Sequence, residues 1–114
     1  MVSPYVYPGL ENITFAIEQP SYIFKRLITV VGVSLDIPRS DILSTRRYRH
    51  LTMARQMISY MLRKDYELSF AGIGELWSRD HSTIIHHVKS HEQDFETNKE
   101  YRELYIHLKD QILW

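Results

Sequence analysis

The chain has 114 residues, 44% hydrophobic and 25% charged, which suits one compact domain. It contains no cysteine, which excludes a disulfide framework and a thiolate metal site, and no apolar run approaches the roughly 20 residues that cross a bilayer. The formal net charge of zero hides a division: residues 25–64 hold nine Lys/Arg against two Asp/Glu, whereas residues 65–114 hold five against ten.

Residues 1–20 carry Pro4, Pro8, Gly9 and Pro20 without a sustained period and read as an irregular arm, with Tyr5, Tyr7 and Phe15 as packing or interface side chains. The arm lacks the basic start and apolar stretch of a signal peptide, so the expected location is the cytoplasm. The remainder, residues 21–114, reads as one helical domain. A first helix is predicted after Pro20 with Ser21 as its N-cap, Tyr22, Ile23, Leu27, Val30 and Val31 on its apolar side, and Gly32 at the C-cap position. Pro38 and Ser40 suit a short helical turn with Ile42 and Leu43 facing inward, followed by the arginine-dense loop STRRYRH.

The clearest helix is predicted from about Leu51 to Tyr66. Ala54, Met57, Ile58, Met61 and Leu62 share one face of a 3.6-residue period, and Arg55, Gln56, Ser59 and Arg63 lie off it. Next, Ser69 opens a short helix with Phe70, Ile73, Leu76 and Trp77 recurring every three to four residues. WSRD breaks it, and Asp80 or Ser82 caps a further helix to about Phe95. Ile84, Ile85, Val88 and Phe95 form its inward stripe, with His81, His87, Lys89 and His91 on the exposed side. Thr97-x-x-Glu100 reads as a capping box for a last amphipathic helix carrying Tyr101, Leu104, Tyr105, Leu108 and Ile112. No segment alternates like a strand, so the expected fold class is all-α, with five to six helices.

Two consecutive helices joined by a few residues fit a helix-turn-helix over residues 69–95. The second helix of such a unit enters the major groove, and its first residues meet the base edges. Asp80 suits cytosine N4, His81 and Ser82 suit purine and pyrimidine edges, and the Thr83 methyl suits a thymine methyl. Arg79 precedes the helix within reach of phosphate or guanine. Capping explains one or two of these short polar residues but not four in succession.

LSTRRYRH, ARQMISYMLRK and SFAGIGELWSRDHSTIIHHV, in that order, resemble the C-terminal DNA-binding domain of DnaA, the bacterial chromosomal replication initiator. The similarity is strongest over residues 43–88 and extends weakly to about Ser21 and through the last helix. The third segment is similar to the family signature S-x-x-x-I-G-x-x-F-x-x-R-D-H-[ST]-T. The resemblance implies a compact helical fold of the DnaA C-terminal or Trp-repressor-like type. It implies that Asp80, His81, Ser82 and Thr83 form the base-reading edge, that Arg47 enters the minor groove, and that Arg46, Arg55, Gln56, Arg63 and Arg79 hold phosphates. The expected partner is double-stranded DNA carrying a DnaA-box-like element, in regulation of replication initiation or transcription.

The chain departs from the family at three points. Ser78 alone separates Trp77 from Arg79 where the family has two residues, mostly glycine; Trp77 replaces a phenylalanine; and Ala54 replaces a frequent proline. There is no G-x-x-x-x-G-K-[ST] phosphate loop, and the chain is too short for an AAA+ ATPase domain, so the expectation is a free-standing DNA-reading module without nucleotide or other cofactor. His87 and His91 have an i, i+4 spacing that chelates zinc on some helices, but without cysteine or a third ligand they read as surface histidines and no metal is expected. A catalytic role for Glu75, Asp80 and His81 is disfavoured because an exposed helix edge is a poor place to shift a pKa, so no enzyme is expected. The alternative is a protein-interaction module, an adaptor or regulator of an initiator, using the aromatic arm and the acidic last helix; a replication or regulatory protein is then a partner.

Overall fold

A computed structural model describes residues 19–112, which form six helices and, within those residues, no strand. Residues 1–18 of the expected arm, with Tyr5, Tyr7 and Phe15, lie outside the described residues. The helices are α1 (Pro20–Leu35), α2 (Arg39–Ile42), α3 (Arg49–Lys64), α4 (Phe70–Trp77), α5 (His81–Thr97) and α6 (Lys99–Ile112).

Helix α1 is capped by Gln19 rather than by Ser21, because Pro20 takes the first helical position, where its missing N–H leaves nothing unsatisfied. The helix also runs past Gly32, the expected terminus, and ends at Asp36 in the left-handed region at φ 54°. Gly32 serves space instead: a Cβ there would lie 2.8 Å from the Ile37 carbonyl oxygen, where the chain folds back over the helix. In the turn that follows, Ile42 is fully buried, but Leu43 is 44% exposed and faces outward, contrary to expectation.

Helix α3 is the centre of the domain and packs against α1, α2, α4 and α5. Leu51, Ala54, Met57, Ile58, Met61 and Leu62 are all buried, as the period predicts. Arg55, Gln56 and Ser59, expected off that face, are buried as well. A helix surrounded by neighbours has no face to give to water, so its polar residues must find partners inside.

Helix α6 covers one side with Tyr101, Tyr105, Leu108 and Ile112. Its cap is Asn98, whose Oδ1 accepts the Tyr101 N–H at 3.1 Å. The Thr97–Glu100 box does not form, because Thr97 still belongs to α5 and donates its hydroxyl to the Gln93 carbonyl. Among the described residues no helix is long and apolar enough to cross a membrane.

Candidate nucleic-acid interface

Helices α4 and α5 form the expected helix-turn-helix. Ser69 caps α4 by accepting the Gly72 N–H on its side-chain oxygen at 3.0 Å. Trp77 at the other end packs edge-on against Phe24 of α1 at 4.8 Å and anchors the unit to the core. The turn is a Schellman closure: Arg79 N–H donates to the Gly74 carbonyl at 2.8 Å, and Ser78 N–H to that of Glu75 at 3.2 Å. It is this tight because Gly74 has no side chain. A Cβ on Gly74 would stand 2.6 Å from the Arg79 carbonyl oxygen, a backbone atom that cannot step aside without moving the recognition helix. Gly74→Ala is therefore expected to cost about 1–3 kcal/mol through forced overpacking, read as a lowered melting temperature.

Ser78 carries the turn in the left-handed region, φ 55° and ψ 46°. A residue with a Cβ is strained there by about 1 kcal/mol. Ser78→Gly is expected to recover part of that and raise the melting temperature, while an unchanged or lower value would show that the serine is not strained.

The reading edge projects from this turn. Asp80 and His81 are exposed, with 70% and 62% of their side-chain surface free. The Asp80 carboxylate caps α5, accepting the His81 N–H at 2.9 Å and the Ser82 hydroxyl at 2.8 Å. The hydrogen bond from Ser82, foremost, holds this carboxyl below the usual range. Capping and presentation thus coincide: the bonds that satisfy the helix end also fix Asp80 and Ser82 as one rigid polar edge. Thr83, one residue on, is half-buried and faces the arginine loop across a cleft of about 560 Å³.

Arg55 organises the opposite wall. Its Nε donates to the Ile42 carbonyl at 2.8 Å, Nη1 to that of Arg46 at 2.6 Å, and Nη2 to those of Asp41 and Ser44 at 3.1 and 2.7 Å. One buried guanidinium therefore gathers four carbonyls of residues 41–46. Arg55, expected at a phosphate, is 8% exposed, borders the cleft and fastens the loop to α3. Gln56, expected at a phosphate too, also lines the cleft. It is 5% exposed, and its amide donates to Asp94 at 3.0 Å and Tyr101 at 3.4 Å. Arg63 reaches back to the Leu68 carbonyl at 3.1 Å and lies 4.3 Å over the Phe70 ring, bracing the start of α4.

The loop so fastened presents Arg46 and Arg47 to solvent. Arg46 approaches Asp41 at 3.9 Å, while the Arg47 side chain forms no hydrogen bond or ion pair among the described residues. Arg47, Arg55 and Arg79 all border the cleft, and no Asp or Glu does. The crowding is felt by its neighbours. Burial, and then the charge of Arg79, lower the Arg55 pKa. Burial foremost, followed by His86, Arg55 and Arg79, pushes His87 down to about 4. An unbalanced set of like charges along a groove is a site for a polyanion.

The cleft also holds His86 and, not singled out by sequence reasoning, Thr45 and Thr52. Helical spacing places His86 four residues after Ser82, a signal that was available. Two histidines expected at the surface are not there. His91 is 1% exposed, and the half-buried His87 shares a hydrogen bond with Ser59 at 3.1 Å. The described residues contain no group of three His, Cys, Asp or Glu arranged to hold a metal.

The family described as bacterial dnaA protein helix-turn-helix matches residues 24–90, which include both walls of this cleft. The chain belongs to this DnaA helix-turn-helix family. The family is one of DNA-binding domains and not of catalysts. The chain is 33% identical over 72 residues to the chromosomal replication initiator protein DnaA 2 of Protochlamydia amoebophila, covering 63% of this chain and 16% of that protein. It is 34% identical over 79 residues to DnaA 1 of Chlamydia pneumoniae, covering 69% of this chain and 16% of that one. A solved DNA replication initiation factor superposes with a TM-score of 0.71 at 25% identity, over 90% of this chain and 32% of that structure. The chain thus corresponds to only about a sixth of the length of these DnaA relatives.

Proposed function

We propose that the chain binds double-stranded DNA sequence-specifically at a DnaA-box-like element and acts in regulation of replication initiation or transcription, at the nucleoid. The observation that carries this reading is the cleft lined by Arg47, Arg79, Ser82 and Thr83 and by no Asp or Glu, with the exposed Asp80 and His81 next to it in the chain. Its division of labour follows from chemistry. The exposed donors and acceptors of Asp80, His81 and Ser82 suit base edges in the major groove. Arg47, on a loop held away from the helix, suits the adjacent minor groove, where a guanidinium senses groove width. Arg46 and Arg79 suit phosphates, which position the protein without carrying sequence.

Fluorescence anisotropy on a duplex carrying a DnaA box, against a scrambled duplex at the same salt concentration, tests the proposal. His81→Ala is expected to cost about 1–3 kcal/mol on the specific duplex and little on the scrambled one. Arg79→Ala is expected to weaken both and to reduce the salt slope by about one. Equal affinity of the parent protein for the two duplexes removes the claim of specificity.

A further inference from the structure

A second cleft, of about 360 Å³, is lined by Tyr60, His91, Glu92, Phe95, Glu96 and Tyr105. It lies where α3, the later turns of α5 and α6 meet, about three helical turns beyond the reading edge along α5. Its floor is aromatic. Tyr60 stacks on the His91 ring at 4.0 Å, and Tyr105 meets that ring edge-on at 4.4 Å and Phe95 at 5.9 Å. Its rim is acidic: Glu92 and Glu96 are exposed, and neither forms an ion pair among the described residues. These carboxylates repel nucleic acid.

The floor also offers an unused polar atom. The Tyr101 hydroxyl shares a hydrogen bond with His91 Nδ1 and accepts one from the Gln56 amide. With the Tyr101 hydroxyl donating to Nδ1, the neutral imidazole carries its hydrogen on Nε2, free to donate. That Nε2 has no partner among the described residues, although the ring is 1% exposed and lines the cleft. Aromatic faces and carboxylates attract a cation, and an N–H beside them wants a carbonyl. A peptide segment supplies both.

We infer that this cleft docks a basic segment of a protein partner, with an arginine or lysine side chain over Tyr60 and Tyr105 between Glu92 and Glu96, and a main-chain carbonyl on His91 Nε2. The site is separate from the DNA-reading edge and leaves that edge free.

The probe is the peptide acetyl-Gly-Arg-Gly-Arg-Gly-amide, titrated into the full chain while the aromatic NMR signals of Tyr60, Phe95 and Tyr105 are followed. The control replaces each arginine with citrulline, which keeps shape and hydrogen bonding but loses the charge. Saturable shifts confined to these rings with the arginine peptide, absent with citrulline, and at least about fivefold weaker in the E92Q/E96Q double variant support the proposal. Both glutamates are exposed, so this variant is expected to fold, and its anisotropy on duplex DNA serves as the check. Equal shifts with citrulline, diffuse shifts that do not saturate, an unaffected E92Q/E96Q variant, or shifts of these rings on adding duplex DNA alone would each overturn it.

Discussion

Replacing Arg55 with methionine is expected to cost about 3 kcal/mol of folding stability and most of the DNA affinity, although Arg55 offers a duplex almost no surface. The methionine fills the channel of the aliphatic stem but donates nothing, so the carbonyls of Asp41, Ile42, Ser44 and Arg46 lose their common donor. Residues 43–46 then lose their tie to α3, and Arg47, which borders the cleft from the next position, loses its aim. Lysine should rescue little, because one ammonium cannot reproduce a planar fork that meets four acceptors at once. A loss of more than about 10 °C in melting temperature, with faster amide exchange across residues 43–48, is the expected readout. If the variant melts with the parent and only the salt slope of DNA binding changes, Arg55 is a phosphate ligand and not the fastener of the loop.

The second large effect is on pH. Burial pushes His91 down to about 4 against the mild opposition of Asp94, and His87 is held near the same value. A histidine whose pKa is lower folded than unfolded stabilises the fold fully above the unfolded value of about 6.5. That contribution is lost as the pH falls from 6.5 toward 4, because the unfolded chain then binds more protons. Each group accounts for about 2–3 kcal/mol by pH 4.5. Urea denaturation at pH 7.5 and 4.5 should therefore show a steep acid loss, and His91→Phe, which keeps a ring on Tyr60, should remove about half of the histidine share. An unchanged pH slope in that variant would place the titrating group elsewhere.

Much of this architecture is legible in the chain because it follows local rules. The 3.6-residue period finds the apolar faces of α3 and α6, Ser69 and Asp80 mark the starts of α4 and α5, and the short break at Ser78 separates the two halves of the helix-turn-helix. The errors share a cause. Gly32 looks like a helix end until Ile37, five residues later, occupies the space above it. Arg55 and Gln56 look like solvent-facing residues until α1, α2, α4 and α5 enclose α3 on its other sides. His91 falls outside an apolar stripe by type, yet its ring packs with Tyr60, Tyr101 and Tyr105 and its nitrogen meets a tyrosine hydroxyl. For Arg55, Gln56 and His91 the deciding neighbours lie on other helices, and for Gly32 in the turn just past its own helix. The edge Asp80–Thr83 was accessible because adjacency alone builds it.

Helix α3 carries the arginine loop through Arg55 and, at the same time, packs along the recognition helix α5. The two parts proposed for the major groove and the adjacent minor groove are therefore the jaws of one caliper, with α3 as its bar. On the proposed function, a gap set by one shared helix is a length against which a duplex is gauged. DNA whose groove geometry matches the gap engages both jaws without bending. On the same proposal, DNA that does not match must deform or give up one contact, which gives discrimination at base pairs the protein never touches.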